Sequence, residues 1–403
     1  MKDKLAEILK EGYVCDHCLG RQFAQLLSGF GNEERGKILR YFVAMLIDSG
    51  EKINVDSSNF FGIKFHNKKV KTKKPKKCYV CSKLFKELKK KVKLISKKLE
   101  KYEYETFLIG CKLTPGLIER EQDLWSKIGI EWCESIKTAI NRELGKEVER
   151  ITGKKMNRKM PDITVNIDLN TDRVELNVRS IYVYGKYQKL TRDMPQTKWK
   201  RKIFKTSVQG IIEKPLLKQT KSKDSSFHGS GREDVNVRCL GWRPFVIELI
   251  RPIKRKIDLR RILKKINKSK KVKVKSLKIV DKNVVRKIKF ADYDKTYKAV
   301  VSFENPVKSL KNVSRLKNNI ISQRTPIRVL RRRSDKIRRR KVKEIKYKML
   351  NKTKAEFKIR TQSGLYVKEL ITGDNGRTEP SISSLLDNKV KKIELDVIKI
   401  HSG

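Results

Sequence analysis

The chain has 403 residues, with 100 Lys+Arg against 45 Asp+Glu, and a formal net charge of +55. A 38% hydrophobic content supports packed cores in two or three domains, which excludes an acidic disordered protein, and the length excludes a small disulfide scaffold. So large a positive excess repels itself without a polyanion, which makes nucleic acid the first partner class and an anionic membrane a distant second.

At the N-terminus, Met1–Lys10 is amphipathic but has no signal-peptide core or cleavage site. The longest apolar run nearby, 41–47, is too short to span a bilayer. Seven cysteines, an odd number without an even spread of pairs, fit a reducing compartment. Together these features predict a soluble cytoplasmic protein with no membrane partner; no obligatory protein partner is evident.

Residues 3–50 predict helices around a first C-x-x-C knuckle, Cys15 and Cys18, with an apolar face from Leu39 to Ile47 and a stop at Gly50. Seven lysines in residues 68–77 lead into a second knuckle, Cys78 and Cys81. A basic helix follows over 83–101, with Leu84, Phe85, Leu88, Val92 and Leu94 among its lysines; it is either a solvated face or an RNA contact. A strand over 107–113 and a helical stretch over 121–144 come next. Ile163, Val165, Ile167 and Leu169 alternate with polar residues, as do Val174, Leu176 and Val178, around an Asn170-Thr171-Asp172 turn, which predicts a hairpin. Residues 218–231 are polar and glycine-bearing and predict a loop, with no clear strand before His228. Strand patterns then dominate: 246–250, 272–279, 299–303, 357–361 and 393–400. A boundary near 195–205 divides the chain into regions 1–195 and 196–403, both α+β.

Two further basic runs interleave charge with apolar residues. Fourteen Lys/Arg and one acid fill 251–278, and ten Lys/Arg fill 324–341. Their alternatives are amphipathic elements with solvated faces or phosphate contacts that release counterions.

The knuckles carry metal-ligand spacing. Each C-x-x-C supplies two thiolates, and Cys15, Cys18, Cys78 and Cys81 complete a closed four-thiolate structural Zn2+ site. The 59-residue gap means that such an ion ties distant segments together. A redox C-x-x-C is the competing reading, and the presence of two knuckles argues against it. His17 is a bystander inside the first.

His228-Gly229-Ser230-Gly231-Arg232-Glu233-Asp234 superficially resembles a phosphate loop, but Asp234 stands where a dinucleotide fingerprint needs its third glycine, and no Walker lysine pattern occurs. The glycines allow backbone to pass close to a substrate and present Arg232, Glu233 and Asp234 at the lip of a sheet beginning at Val235; the alternative is a turn with locally paired acids. Tyr297 and Tyr366 each suit either core packing or stacking on an extruded base.

Several segments together are similar to one known family. Gly231-Arg232-Glu233-Asp234-Val235, with Arg238, Leu240-Gly241 and Arg243-Pro244-Phe245, resembles the catalytic motif of the archaeal tRNA pseudouridine-54/55 synthases. Lys295-Thr296-Tyr297 looks like their active-site tyrosine motif, and Tyr366-Val367-Lys368-Glu369-Leu370 like a superfamily element. Tyr184-Gly185-Lys186-Tyr187-x-Lys189 and Pro195-Gln196-Thr197-Lys198-Trp199 are similar to the end of the family's RNA-binding THUMP region. Cys15-x-x-Cys18-Leu19-Gly20-Arg21-Gln22-Phe23 looks like its zinc segment, and Gln323-Arg324-Thr325-Pro326-x-Arg328-Val329 also looks like family sequence. Two departures lie close to Asp234: Asn236 stands where the family usually has Asp, and Trp242 stands where it has a Gly before the Arg-Pro-Phe triplet, with one residue missing.

The resemblance implies a zinc-bound, THUMP-containing tRNA-binding region followed by a pseudouridine synthase domain with a mixed, largely antiparallel sheet. It implies uridine isomerisation in the T stem-loop of tRNA, at position 54, 55 or both, by base flipping and without an organic cofactor. Asp234 is then the essential carboxylate, as nucleophile at the sugar or as the base that starts glycal formation. Lys368 pairs with it and lowers its pKa, and Arg232 assists or grips the flipped phosphate. Tyr297 stacks on the base, and Tyr366 is a second substrate contact. The two basic runs grip the stem-loop. A catalytically silent tRNA-binding or chaperone protein on the same scaffold is the alternative. A THUMP-bearing methyltransferase or thiouridine synthase lacks its glycine-rich or nucleotide-binding loop here.

Overall fold

The computed structural model describes residues 1–199 and 203–402; residues 200–202, inside the predicted boundary region, lie outside the described residues. The chain forms two compact units, Met1–Arg179 and Ser180–Gly403. Among the described residues no helix is long and apolar enough to cross a membrane.

The first unit runs α1 (Lys2–Lys10), α2 (Asp16–Gly20), α3 (Asn32–Asp48), α4 (Leu84–Leu99), β1 (Thr106–Lys112), α5 (Pro115–Ile128), α6 (Ile136–Thr152), β2 (Lys155–Met156), β3 (Ile163–Asp168) and β4 (Val174–Val178). Its sheet has the order β2-β1-β3-β4, with β1 parallel to β3 and the β3–β4 hairpin antiparallel, as the alternation predicts. In α4 the buried stripe is Leu84, Phe85, Leu88, Val92, Ile95 and Leu99. Leu94, expected on that stripe, is 42% exposed, because Ile95 holds the position one turn below Lys91. Lys91 itself is buried and pairs with Asp172 in the hairpin turn, so this basic helix is more than a solvated face. The single helical stretch expected over 121–144 is two helices. Gly129, at φ +72°, ends α5, and the Ser135 hydroxyl accepts from the Thr138 amide to start α6.

The second unit runs β5 (Ile181–Lys189), α7 (Val208–Thr220), β6 (Asp224–Gly229), β7 (Arg238–Ile250), α8 (Leu259–Asn267), β8 (Val272–Val280), α9 (Asn283–Phe290), β9 (Lys295–Phe303), β10 (Ile320–Arg324), β11 (Ile337–Asn351), β12 (Lys354–Thr361), α10 (Val367–Thr372), β13 (Thr378–Glu379), α11 (Ile382–Leu386) and β14 (Val390–Ile400). Nine strands follow the order β13-β10-β11-β12-β9-β14-β7-β5-β8, and β6 pairs with β7. The pairs are antiparallel except β7 with β14. One face packs against helices: Ile212 and Leu216 of α7 and Ile262 of α8 meet Tyr187, Phe245 and Ile247. Leu370 and Ile371 of α10 and Ile382 of α11 meet Ala299, Val301 and Phe357. The opposite face carries α9 over Tyr182 and Val246.

Three expectations change here. Residues 218–231 are not one loop: α7 extends to Thr220, and 224–229 pair residue for residue with Phe245–Ile250. The segment is polar because β6 borders the sheet, so sequence polarity hid its ladder. A strand therefore does precede Gly231, and the next begins at Arg238, not Val235. The division of the chain also falls at 179/180 instead of 195/196, because β5 pairs with β7 and β8 in the second unit's sheet.

Candidate active site and metal centre

Residues 230–237 join β6 to β7. Gly231 sits at φ +74°, and a Cβ there would lie 3.2 Å from Arg243 Nη1, so both backbone freedom and space call for glycine. The loop is held from beneath by β5. Lys189 is fully buried, and its ammonium donates to the carbonyls of Met194, Asp234 and Val235 at 2.9, 3.1 and 2.9 Å. Burial lowers its pKa, and three carbonyls solvate the charge that remains. Gln196 donates to the Gly231 carbonyl at 3.0 Å and to the Tyr187 hydroxyl at 2.8 Å. The Tyr184–Lys189 and Pro195–Trp199 motifs were expected to end an RNA-binding region; Tyr187, Lys189 and Gln196 instead shape this loop.

Along the loop, neighbouring side chains go different ways. Glu233 turns inward, pairs with buried Arg243 at 3.0 Å, and accepts from the Tyr187 hydroxyl at 3.0 Å. Arg232 points outward, exposed and without an ion pair among the described residues, so it does not touch Asp234. Asp234 faces across to the other half of the sheet. Lys368, on the first turn of α10, reaches it at 2.9 Å, as expected. A second cation also reaches it: Arg328 Nη1 lies 3.1 Å from Asp234 Oδ1, while its Nε holds buried Glu369 at 2.6 Å. Arg328 stands in a segment recognised as family sequence, but it carried no assigned role, because a pairing across 94 residues leaves no local pattern. Burial opposes ionisation of Asp234, yet Lys368 and Arg328 outweigh it and hold the carboxyl below its ordinary value. At 37% exposure this anion remains open to a ligand. Lys368 also donates to Asn236 Oδ1 at 3.1 Å.

Tyr297 lies on β9, half-buried, and packs against the core beside the helices. Burial, reinforced by Asp234 and Glu233 nearby, pushes its hydroxyl up to about 12, so it is a neutral proton donor at physiological pH. Tyr366 precedes α10, and its backbone is clamped by Gln323, which accepts from the amide at 2.8 Å and donates to the carbonyl at 3.0 Å. Its hydroxyl is buried without a hydrogen-bond partner among the described residues. Lys295 opens β9 and donates to the Tyr293 carbonyl and the Ser363 hydroxyl. Burial, helped by the Arg243 charge, brings its pKa down to about 8. Nothing in the sequence pattern distinguished it from the chain's other lysines. Asp234, Lys368 and Arg328 thus make one charged constellation, with Tyr297 close enough to sense its field; Arg232 stands apart.

In the first unit, the sulfurs of Cys15, Cys18, Cys78 and Cys81 all lie within 4.8 Å of one another. The Cys15–Cys81 separation is 3.6 Å, close to the roughly 3.8 Å edge of a tetrahedron with metal–sulfur bonds of about 2.3 Å. The four cysteines are thus placed to hold one metal ion. His17 stacks on Phe85 with ring centroids 4.7 Å apart, as a bystander should.

Comparison with known proteins agrees with this architecture. The model of "Pus10, C-terminal" matches residues 182–401, and that of "Pus10 THUMP domain, archaeal" matches 92–168. A tRNA pseudouridine synthase Pus10 from Thermofilum pendens is 36% identical, with 99% of this chain and 95% of that protein covered. Another from Pyrococcus furiosus is 37% identical over 99% and 97%. Among solved structures, a Cbf5-Nop10-Gar1 complex is similar at a TM-score of 0.30 and 14% identity, covering 52% of this chain and 47% of that one. With two Pus10 domains in order and relatives aligned along nearly its whole length, the chain belongs to the Pus10 family of tRNA pseudouridine synthases.

Proposed function

We propose that the chain isomerises uridine to pseudouridine in the T loop of tRNA, at position 54, 55 or both, with Asp234 as the essential carboxylate. One observation carries the reading: Asp234 is open to a ligand, yet two cations keep it ionised. Either opening step, attack at C1′ or removal of the 2′ proton, needs an ionised carboxylate. The reaction then breaks N1–C1′, turns the base and joins C5 to C1′; the C5 proton is finally lost and a proton is restored at N1. Tyr297 stacks on the flipped base, and its protonated hydroxyl suits the proton exchange that ends the reaction. Tyr366 is the second substrate contact, and its half-buried ring, two residues before Lys368, suits an apolar contact to the nucleotide. Arg232, exposed at the lip, suits a phosphate of the same strand. In the first unit the metal is Zn2+, held by four thiolates in a closed structural role.

The test uses an unmodified tRNA transcript and purified protein without added cofactor. Carbodiimide primer-extension mapping should give new stops in the T loop with wild type and none with Asp234→Ala. Tight tRNA binding without stops in either protein would instead identify a silent tRNA-binding scaffold.

A further inference from the structure

The catalytic constellation and the helices α7, α8, α10 and α11 share one face of the ten-stranded sheet. Strand alternation sends the intervening side chains to the other face. Tyr297 and Arg243 belong to the catalytic side, so Thr296 and Trp242 point away from it. On that reverse side, α9 covers only the end around Tyr182 and Val246.

Beyond α9 the reverse face opens into a groove of about 490 Å³ lined by Lys186, Trp242, Lys275 and Lys399. Lys275 holds its ammonium 4.5 Å from the centre of the Trp242 ring. Ile398, Lys399 and His401 continue the groove into a second one of about 450 Å³, where Lys346, Lys358 and Arg360 stand. Glu344 answers Arg360 at 3.1 Å. Lys275, Lys346, Lys358 and Lys399 are exposed and meet no carboxylate among the described residues.

A solvated reverse face is ordinary for an antiparallel sheet. Such a face usually mixes signs, because like charges on neighbouring strands repel. Here four unpaired lysines line one track, with a half-buried indole at one end. Cations in a row with an aromatic platform suit a nucleic-acid strand, whose phosphates the lysines neutralise and whose base the ring stacks.

We propose that this reverse-face groove is a second RNA site, which takes a single-stranded segment by stacking a base on Trp242 and seating its phosphates along Lys275, Lys399 and Lys358. It rests on the RNA-substrate reading only for the class of its ligand.

The experiment uses the full chain and fluorescein-labelled octaadenylate, which contains no uridine to isomerise. Wild type should bind it with salt-dependent affinity. Trp242→Ala and Lys275→Glu/Lys399→Glu should each weaken binding at least about tenfold, and Trp242→Phe, which keeps a stacking ring, should restore most of it. All four proteins should turn over a minimal T stem-loop at the wild-type rate, and Asp234→Ala should bind octaadenylate normally. Unchanged affinity in both weakened variants would overturn the groove. Weakening by the charge reversals alone would overturn the nucleotide site and leave only a polyanion-attracting surface. Parallel loss of stem-loop turnover would overturn its separateness from the catalytic face. If wild type does not turn over the stem-loop, the catalytic reading fails, while the octaadenylate affinities still decide the groove.

Discussion

Between Lys368 and Arg328, Asp234 stays ionised where a free aspartate begins to take up protons, since both cations favour its charged form against the cost of partial burial. The sign of the pH dependence follows. A lowered carboxyl pKa gives an interaction that is present above the ordinary value of about 3.9 and lost as pH falls through the lower folded value. Removing one cation therefore moves the acid limb of kcat/KM to higher pH. Lys368→Met and Arg328→Met should each show this shift, with loss at the pH optimum as well, and Lys368→Arg should recover part of both. An acid limb that stays in place would mean that neither cation sets the ionisation of Asp234. Arg232→Ala, which removes no contact to Asp234, should leave the limb where it is. Asp234 and Lys368 were legible because each sits in a short motif with a recognisable spacing. Arg328 was quoted within such a motif, but its reach to Asp234 depends on how β10 and the loop after β6 are folded together. Arg232 was credited through its nearness in sequence, yet it stands exposed while Asp234 turns to Lys368 and Arg328.

At the scale of elements, the best-read pieces were those whose buried side follows a strict period: the β3–β4 hairpin and α4. The failures were pieces whose partners supply the order. β6 is polar in sequence and becomes a strand through β7, and the α5–α6 break depends on one glycine and one capping serine inside a continuous helical pattern. Glycines of the first unit show a related limit. At Gly20 an added Cβ would stand 1.9 Å from the Asn32 carbonyl oxygen, and at Gly36 one would stand 1.9 Å from that of Asp16. The helices α2 and α3 therefore touch backbone to backbone, and the Arg40–Asp16 ion pair at 2.7 Å seals the contact. Gly36→Ala sets two effects against each other. Helix propensity favours alanine by about 1 kcal/mol. The clash is with main chain that cannot turn aside, and overpacking of this kind costs about 1–3 kcal/mol or more. The clash should win, and calorimetry should show a lower midpoint for the first unit; an unchanged or raised midpoint would mean that the two helices separate freely. The glycine in Cys18-Leu19-Gly20-Arg21 thus serves packing next to the cysteine knuckle.

For the whole molecule, two units with separate cores imply two unfolding events with different sensitivities. The four cysteines all lie in the first unit, and a metal ion there joins segments 15–18 and 78–81, which the chain separates by 59 residues. Cross-linking over so long a loop removes much freedom from the unfolded chain, and four thiolates without an ion would crowd negative charge inside a core. The spacing in sequence was enough to propose the ligand set, because it depends only on two local turns; the extent of the units was not, since nothing in the Tyr184–Lys189 motif shows which sheet it joins. Elemental analysis should find one zinc per chain. A strong chelator, or Cys78→Ser, should lower the thermal midpoint of the first unit by many degrees and leave that of the second in place. Turnover of a minimal stem-loop, for which the proposed catalytic residues Asp234, Lys368 and Tyr297 all belong to the second unit, should survive the same treatment, whereas affinity for full-length tRNA should fall. If the second transition moved together with the first on metal removal, the ion would be supporting the entire chain, and its role as a brace confined to the first unit would be wrong.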